Sequence, residues 1–312
     1  MNRYLNIGIM QYEISDDCDQ NLEKIKRNVF LLMNGMNRPE MILGPELCLG
    51  PNAKNVIPGR FTDALGGIAK EYGIYFLPGS IKEIKYTAGG EILYNALPIF
   101  GPDGGIIDVY RKICPYYPVE SATTPGDRYV VFSIREKDIK IGVMICHDWC
   151  FPEISRNLTL MGAEILFRPA IDPEGLYESF RYVSPVRALE NQAYFISLNA
   201  TGSYAGTNAY GHTTIADPEG RIIYEAGGAE VNYCITLDAD FVKRTRTYGT
   251  FFTEQLVRQL NLFKIPMPFA GRIEEAPIFK TLPDADKNLQ ERLEKLRRAG
   301  LNERLGSKKS SF

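Results

Sequence analysis

The chain alternates between short apolar runs with a period of two and longer stretches in which apolar residues recur every three or four positions. The first pattern is typical of strands and the second of amphipathic helices. Residues 5–12 show the strand pattern, and in residues 20–33 Leu22, Ile25, Val29 and Leu32 fall on one helical stripe. The repeated alternation predicts an α/β fold.

The predicted elements follow one another with short connections. Strands are predicted just before Glu46 and at residues 5–12, 74–80, 92–100, 106–110, 129–134, 139–145, 165–168, 194–199, 211–216, 221–226 and 231–237. Helices are predicted at residues 20–33, 61–72, 153–161, 177–191 and 285–298. The segment Gly101-Pro102-Asp103-Gly104-Gly105 is a strong turn signal and predicts a hairpin between two of the strands.

Three apolar runs end in a residue that can take part in chemistry. Glu46 ends the first, Lys112 the second and Cys146 the third, and a helix-starting pattern follows Cys146 within a few residues. A strand end projects its side chain from a rigid sheet, and the turn behind it offers backbone N–H groups to a developing oxyanion. Singly, each residue is more often structural or solvated. Together they predict one catalytic site.

The chemistry of these three residue types is complementary. A thiol with an ordinary pKa of about 8.5 is mostly protonated at neutral pH, so a cysteine that attacks a carbonyl needs a base. Glu46 is the candidate base, and the ammonium of Lys112 is the candidate partner for the negative oxygen of a tetrahedral intermediate. The set predicts acyl transfer with Cys146 as the nucleophile.

With these residues the chain resembles the nitrilase superfamily, the carbon-nitrogen hydrolases whose catalytic set is glutamate, lysine and cysteine on strand ends in that order. The segment from Tyr110 to Glu120 is similar to that of aliphatic amidases and formamidases, in which a second glutamate, here Glu120, follows the lysine. The likeness runs from about Asn6 to Asp238. It implies a four-layer α-β-β-α sandwich, a catalytic part for Glu120 and no cofactor.

Other residues near the three strand ends are candidates for substrate binding. Tyr116 lies between Lys112 and Glu120 and is expected to shape the cavity, although loop tyrosines are also common at surfaces. His147 is expected to contribute its backbone N–H rather than its ring. Trp149, which with Cys150 departs from the pattern of the amidases, is expected to form a pocket wall, or else to pack against the following helix. Arg168 is expected to pair with Asp148 or Glu153 rather than bind a substrate carboxylate.

Composition excludes several other classes. The 312 residues are 45% hydrophobic and 24% charged with a net charge of -2, which does not favour nucleic-acid binding. No stretch of about 20 apolar residues occurs, so we expect neither a membrane span nor a signal peptide. The enzyme is therefore expected to be cytoplasmic. The six cysteines form no C-x-x-C pair and there are only two histidines, so we expect neither disulfides nor a metal.

The predicted organisation is one catalytic domain, residues 1–245, followed by an extension, residues 246–312. Four prolines, Pro266, Pro268, Pro277 and Pro283, interrupt the extension before a charged helix with Leu289, Leu293 and Leu296 on a narrow stripe. In the superfamily such C-terminal arms commonly extend over a neighbouring subunit. The resemblance therefore implies a homo-oligomer.

The expected function is hydrolysis of a small amide to the carboxylic acid and ammonia through a thioester on Cys146. N-carbamoyl amides and nitriles are alternative substrates, because they use the same thiol chemistry. A catalytically silent assembly subunit is the alternative from another class. The presence of Glu46, Lys112, Glu120 and Cys146 together argues against it.

Overall fold

The computed structural model describes residues 3–204, 207–265, 271–280 and 288–299. Its strands are β1 (Tyr4–Gln11), β2 (Met41–Leu43), β3 (Lys54–Asn55), β4 (Tyr75–Leu77), β5 (Ile81–Thr87), β6 (Gly90–Phe100), β7 (Ile106–Arg111), β8 (Val130–Ile134), β9 (Ile139–Val143), β10 (Ile165–Ala170), β11 (Tyr194–Asn199), β12 (Thr201–Tyr204), β13 (Thr207–Tyr210), β14 (Thr214–Ala216), β15 (Ile222–Glu225) and β16 (Val231–Asp238). Its helices are α1 (Cys18–Met33), α2 (Arg60–Tyr72), α3 (Pro152–Leu160), α4 (Tyr177–Phe180), α5 (Val183–Asn191), α6 (Ala239–Tyr248), α7 (Leu256–Gln259) and α8 (Leu289–Arg298).

The strands form two large mixed sheets. The first has the order β16-β1-β2-β4-β6-β5-β3, with β7 also paired to β6, and the second has the order β15-β14-β11-β10-β9-β8. Strands β1, β2 and β4 run parallel in the first sheet, as do β9, β10 and β11 in the second. The carboxyl ends of these parallel strands therefore gather at one edge of each sheet, where ligand sites of α/β proteins commonly lie.

Alternating side chains of the strands fill three apolar cores. Ile7 and Ile9 of β1 share the central core with Ile141 and Val143 of β9, so the two sheets pack face to face. Helices α1 and α2 cover the outer face of the first sheet, and α3 and α5 cover that of the second. This arrangement confirms the α-β-β-α sandwich.

Helix α1 shows how the sequence pattern becomes packing. Asp17 caps the helix by accepting hydrogen bonds from the backbone N–H groups of Asp19 and Gln20. The predicted stripe of Leu22, Ile25, Val29 and Leu32 is buried against the first sheet. Both the helix and its inward face were therefore predictable from local sequence.

Several elements differ from the sequence prediction. The expected helix at 177–191 is two helices, and α5 starts afresh so that Pro185 stands in its first turn, where a missing N–H costs nothing. The expected strand at 74–80 ends at Leu77; after a break at Pro78-Gly79 the chain continues in the same direction as β5, and β4 and β5 both pair antiparallel with β6. Helix α6 is additional, begins after the cap Asp238 and includes the predicted domain boundary at residue 245.

The chain beyond α6 is anchored to the sandwich by one buried glutamine. The Nε2 of Gln192 donates to the carbonyl oxygens of Thr245 and Glu254 and to the Thr250 hydroxyl, and its Oε1 accepts from the N–H of Val257. The predicted helix at 285–298 is present from Leu289, and residues 285–287 lie outside the described residues. No helix in the described ranges is long and apolar enough to cross a membrane.

Candidate active site

Strand ends from both sheets meet at one edge of the sandwich. Glu46 follows β2 and Lys112 follows β7 in the first sheet, whereas Cys146 follows β9 in the second. The Oε2 of Glu46 accepts a hydrogen bond of 2.9 Å from the N–H of Ile171, just beyond β10. This bond joins the edges of the two sheets at the site.

The nucleophile candidate lies on a sharp turn. Cys146 has a φ of 45°, in the left-handed region, and opens a 3-10 turn over Cys146–Cys150. A non-glycine residue in this conformation is strained and often marks a functional position. The N-terminal N–H groups of such a turn have no partners within it, so they are suited to bind a negatively charged oxygen.

A buried carboxylate, Asp148, holds this turn against the lysine segment. Its Oδ2 accepts from the Tyr110 hydroxyl at 2.6 Å and from the Ile145 N–H at 2.9 Å, and its Oδ1 accepts from the Cys114 N–H at 2.7 Å. Burial raises the pKa of Asp148 to about 6. Asp148 thereby fixes β7, the segment after Lys112 and the nucleophile turn relative to one another.

Lys112 is buried between two carboxylates. Its Nζ lies 3.0 Å from Glu46 Oε1 and 2.6 Å from Glu120 Oε2. Asn95 of β6 donates from Nδ2 to Glu46 at 2.8 Å and to Glu120 at 3.0 Å. Because carboxylates only accept, the amide nitrogen of Asn95 must face them. The two carboxylates are thus held side by side by one ammonium and one amide.

The charges of this cluster stabilise each other. Burial alone would lower the pKa of Lys112, but the negative charges of Glu46 and Glu120 beside it help to raise it well above its ordinary value. Burial alone would raise the pKa of Glu120, but Lys112 and hydrogen bonds to the carboxylate bring it below its ordinary value. Lys112 is therefore an ammonium and Glu120 a carboxylate at neutral pH.

The thiol of Cys146 is held in its neutral form. Burial raises the pKa of this thiol well above its ordinary value, and the negative charge of Glu46 raises it further, while Lys112 lowers it. A thiol in this state does not attack as a free thiolate, because little thiolate is present at neutral pH. It attacks only if a neighbouring base removes its proton during the reaction.

Glu120 belongs to the cluster rather than to the surface arginines near it. Arg111 forms a bidentate pair with the buried Glu83 at 2.6 and 2.7 Å, and Arg128 pairs with Asp108. The main chain of Tyr116 exchanges two hydrogen bonds with Glu120, one through the carboxylate and one through the Glu120 N–H. A structural role for Glu120 as a partner of Arg111 or Arg128 is therefore excluded.

Tyr116 and His147 contact each other beside the cluster, with ring centroids 5.1 Å apart. The Tyr116 side chain is 40% exposed. The His147 ring donates from Nδ1 to the carbonyl oxygen of Cys114 and lies edge-on to Phe151. Burial lowers the pKa of His147, so its ring is neutral at pH 7. A part for either residue in substrate binding stays a prediction.

Trp149 does not occupy the position expected of a pocket wall. Its side chain is only 1% exposed and packs in the outer core of the second sheet with Phe180 and Phe195. The guanidinium of Arg168 lies over its ring, 3.5 Å from the centroid. Since the ring faces the helix layer, the alternative of packing against the helix side is the correct one.

Arg168 is paired, as expected, but with a different partner. It binds Asp172 rather than Asp148 or Glu153, with Nη1 and Nη2 each donating to one carboxylate oxygen. It also donates to the Ser197 hydroxyl and to the carbonyl oxygen of Cys146. With these donors engaged, Arg168 is not available to bind a substrate carboxylate.

Three functional positions were missed by sequence reasoning: Asn95, Asp148 and Asp172. Asn95 lies within a strand, where a polar residue looks like an ordinary member of an alternating pattern. Asp148 was considered only as part of the segment around Cys146 and as a possible partner of Arg168. Asp172 follows a strand by two residues, a signal of the same kind as Glu46. Of its side-chain partners only Arg168 is near in sequence, whereas Cys146 and Tyr210 lie far from it along the chain.

The carbon-nitrogen hydrolase family model matches residues 6–247 of the chain. The chain belongs to this family. The resemblance to the nitrilase superfamily is thereby confirmed, and the protein is an enzyme that acts on carbon-nitrogen bonds.

Two curated relatives illustrate the likeness. The chain is 31% identical to omega-amidase NIT2-B of Xenopus laevis over 259 residues, 77% of this chain and 91% of the relative. It is 33% identical to a nitrilase of Pyrococcus abyssi over 180 residues, 57% of this chain and 64% of the relative, less than two thirds of its length.

Solved structures support the fold. Nit3 of Saccharomyces cerevisiae, a member of the nitrilase superfamily, superposes with a TM-score of 0.72 at 24% identity, covering 78% of this chain and 94% of Nit3. An amidase of Nesterenkonia sp. gives a TM-score of 0.66 at 22% identity, covering 79% and 95%. Both comparisons confirm the nitrilase-type sandwich.

Proposed function

We propose that the enzyme hydrolyses a small amide to the carboxylic acid and ammonia through a thioester on Cys146. The observation that carries this proposal is the position of Lys112, whose buried ammonium joins Glu46 and Glu120 and interacts electrostatically with the thiol. An ammonium, a base and a second carboxylate beside one strained cysteine are the groups that cysteine-dependent amide hydrolysis needs.

In the first half-reaction Glu46 takes the thiol proton as the sulfur attacks the amide carbonyl. Lys112 and the backbone N–H of His147 stabilise the negative oxygen of the tetrahedral intermediate. Glu46 then gives the proton to the departing nitrogen, so that ammonia leaves and a thioester remains. The high pKa of the thiol makes this base necessary.

In the second half-reaction water attacks the thioester. Glu46 accepts a proton from this water, and Glu120, fixed by Lys112, Asn95 and the Tyr116 N–H, positions the substrate nitrogen or the water. The acid is released and the thiol regains its proton. The steps are balanced by substrate and water alone, and no cofactor takes part.

Simple amides are the substrates favoured here, in keeping with the likeness of the segment from Lys112 to Glu120 to aliphatic amidases and formamidases. The relatives reported above are named nitrilase and omega-amidase, so nitriles and ω-amides of dicarboxylates are natural competitors. Arg168 does not favour an ω-amide, because it is fully buried and its guanidinium already binds Asp172, the Ser197 hydroxyl and the carbonyl oxygen of Cys146. N-carbamoyl amides remain the third competitor.

We further propose that residues 1–245 form the catalytic domain and that the following residues act as an arm between subunits of a cytoplasmic homo-oligomer. Large apolar side chains of the extension are exposed, among them Phe263, Ile265 and Phe279. All six cysteines are free thiols, as is usual in a reducing compartment. Size measurement of the full chain and of a chain truncated after residue 265 tests the arm: a shared oligomer size would contradict it.

The decisive experiment is an ammonia-release screen of the enzyme and of Cys146→Ala. The substrates are formamide, acetamide, longer amides, N-carbamoyl amino acids, ω-amides and nitriles, compared by kcat/KM. We expect highest values for simple amides and no measurable turnover by Cys146→Ala. Cys234→Ala, in the edge strand β16 of the first sheet, is the matched control and should keep most of the activity. Turnover by Cys146→Ala would remove the proposed nucleophile, and silence on every substrate would favour an assembly subunit.

A further inference from the structure

The thiol of Cys146 has a hydrogen-bond partner outside the Glu46, Lys112 and Glu120 cluster. Its Sγ donates to Oδ1 of Asp172 over 3.7 Å. Asp172 is 2% exposed and lies two residues beyond β10, on the second sheet's side of the site. Glu46, by contrast, already accepts from Lys112, Asn95 and the Ile171 N–H.

The remaining acceptor positions of the Asp172 carboxylate are filled by strong donors. Arg168 binds both oxygens, Oδ1 through Nη2 at 2.7 Å, and the Tyr210 hydroxyl donates to Oδ2 at 3.0 Å. Oδ1 thus accepts from Arg168 on one side and from the Cys146 thiol on the other. A carboxylate so fully bound cannot rotate away from the sulfur without breaking several bonds at once.

The main chain around Asp172 is fixed as well. Its N–H donates to Oδ1 of Asn199 at 2.8 Å, and its carbonyl oxygen accepts from the Tyr210 N–H at 3.2 Å. Arg168 also donates from Nε to the carbonyl oxygen of Cys146 at 2.9 Å. One ion pair therefore holds the nucleophile twice, by its side chain through Asp172 and by its main chain through Arg168.

We propose that Asp172 is a positioning residue for Cys146: it accepts the S–H hydrogen bond in the resting enzyme, fixes the direction of the sulfur and keeps the thiol neutral until Glu46 takes its proton. This inference rests on the proposed function of Cys146. It gives the two carboxylates beside the thiol different parts, one that receives the proton during attack and one that orients the S–H before it.

The charges around the sulfur decide the direction of the expected effect. Burial raises the pKa of the thiol most, followed by the charge of Glu46, and Asp172 also raises it, while Lys112 and Arg168 lower it. The Tyr210 hydroxyl, which donates to Asp172, also belongs to these surroundings, and burial raises its pKa, so it stays un-ionised. Replacing Asp172 by a neutral residue therefore lowers the pKa of the thiol, because one negative neighbour is lost and Arg168 is no longer balanced.

The test compares alkylation of Cys146 by iodoacetamide, followed on its peptide by mass spectrometry as a function of pH, with amide turnover. In Asp172→Asn we expect the alkylation midpoint to fall by about one pH unit, so that alkylation at pH 7 is about tenfold faster. Turnover should fall about tenfold or more, because the more reactive sulfur is no longer aimed. A merely structural role would slow both reactions together.

The matched control is Asp217→Asn. Asp217 is buried and pairs with Arg221 over the same spacing of four residues, at 2.8 Å, but outside the site. This variant should leave the alkylation midpoint and kcat unchanged. A shift of the midpoint in the control equal to that in Asp172→Asn would assign the effect to loss of a buried carboxylate in general and overturn the proposal.

A second variant guards against misfolding, because Asp172→Asn leaves Arg168 buried without a counter-ion. In Arg168→Gln combined with Asp172→Asn, two neutral amides replace the ion pair. Turnover should fall as in the single variant, whereas the midpoint should fall less, because the positive charge of Arg168, which lowers the pKa of the thiol, is lost as well. An unchanged or higher midpoint in both variants, or faster alkylation with full turnover, would overturn the positioning role. Failure of the proposed function is distinguishable, since it would appear as turnover by Cys146→Ala.

Discussion

Two buried groups of charges border the Cys146 sulfur, one from each sheet, and they differ in balance. On the first sheet's side, the single ammonium of Lys112 serves the two carboxylates of Glu46 and Glu120, which leaves one negative charge in excess. On the second sheet's side, Arg168 and Asp172 neutralise each other as a bidentate pair. Both groups are shielded from solvent.

The difference separates proton transfer from positioning. In the unbalanced group, protonation of one carboxylate removes the excess negative charge and is therefore favourable. In the balanced pair, protonation of the carboxylate would leave the arginine without a counter-ion. Buried charge is costly unless paired and hydrogen bonded, and the first group meets this need with Asn95 and the Ile171 N–H. We therefore expect substitutions in the first group to abolish proton transfer or oxyanion stabilisation, and substitutions in the second to disturb the orientation of the Cys146 sulfur.

The largest effect is expected for Lys112→Met, which leaves two buried carboxylates facing each other. Turnover should fall at least about a thousandfold, since the oxyanion loses its ammonium. The free energy of unfolding at pH 7 should drop by about 3 kcal/mol, and the loss should shrink as the pH falls and a carboxylate is protonated. Steady-state kinetics and urea unfolding measure these changes.

The control for Lys112→Met is Lys24→Met, which breaks a partly exposed ion pair with Glu230 of 3.0 Å. Its unfolding free energy should change by less than about 1 kcal/mol. Equal stability losses in the two variants would show that the ammonium of Lys112 stabilises the fold no more than a surface lysine does.

Glu46→Gln keeps the shape of the first group but removes the proposed base. We expect kcat to fall by about 10² to 10⁴. Alkylation of Cys146 should persist and even accelerate, because loss of the Glu46 charge lowers the pKa of the thiol. Steady-state kinetics and alkylation rates measured on the same variant separate the loss of the base from the change in thiol reactivity. An unchanged kcat would exclude Glu46 from the mechanism.

Glu120→Gln is expected to have a smaller effect, because Lys112 keeps its ion pair with Glu46. Turnover should fall about a hundredfold as the substrate nitrogen or water loses its orientation, with alkylation of Cys146 retained. If turnover is also retained, Glu120 is only a structural partner of Lys112.

The same variant tests the charge state of Glu120 through the pH dependence of stability. Its folded pKa lies below the ordinary value of 4.5 because Lys112 and hydrogen bonds outweigh burial. The unfolded chain therefore binds more protons in this range, and the native protein loses stability as the pH falls from about 5 through the folded pKa. Urea unfolding should show a shallower loss over this window in Glu120→Gln; identical slopes would contradict the assignment.

The smallest effect is expected for Trp149→Phe, a residue that packs against Arg168 of the second group. Its ring is buried in the outer core and contacts the guanidinium of Arg168, so kcat/KM should fall less than about tenfold and equally for short and long amides. The measurement is kcat/KM against acyl length. A change confined to long amides would restore Trp149 as a pocket wall.

The sequence predicted the first group far better than the second. Glu46, Lys112 and Cys146 each follow an apolar run, a local signal, and Glu120 was found through the family resemblance. The pairing of Arg168 with Asp172 depends on how β10, β11 and the β12-β13 hairpin pack, and Asn95 is polar within a strand whose other neighbours are distant in sequence. Trp149 was misplaced because adjacency to Cys146 does not determine which side of the sheet a side chain faces.

The same division applies to the fold. The alternation of helices and strands follows from helix stripes and alternating strand patterns, which are properties of single segments, whereas the order of the four layers was implied by the family resemblance. The split between α4 and α5 and the extra helix α6 depend on one proline and one capping aspartate, signals of a single residue within otherwise regular patterns. Such breaks are the least visible part of a sequence.

The most direct test of the central claim is to trap the acyl group. The enzyme is mixed with a slowly hydrolysed amide, quenched in acid, digested and measured by mass spectrometry. We predict the acyl mass on the peptide that contains Cys146 and on no other cysteine peptide, and its absence in Cys146→Ala. An acyl group on Cys114 or Cys150, or turnover without any acylated cysteine, would contradict the account.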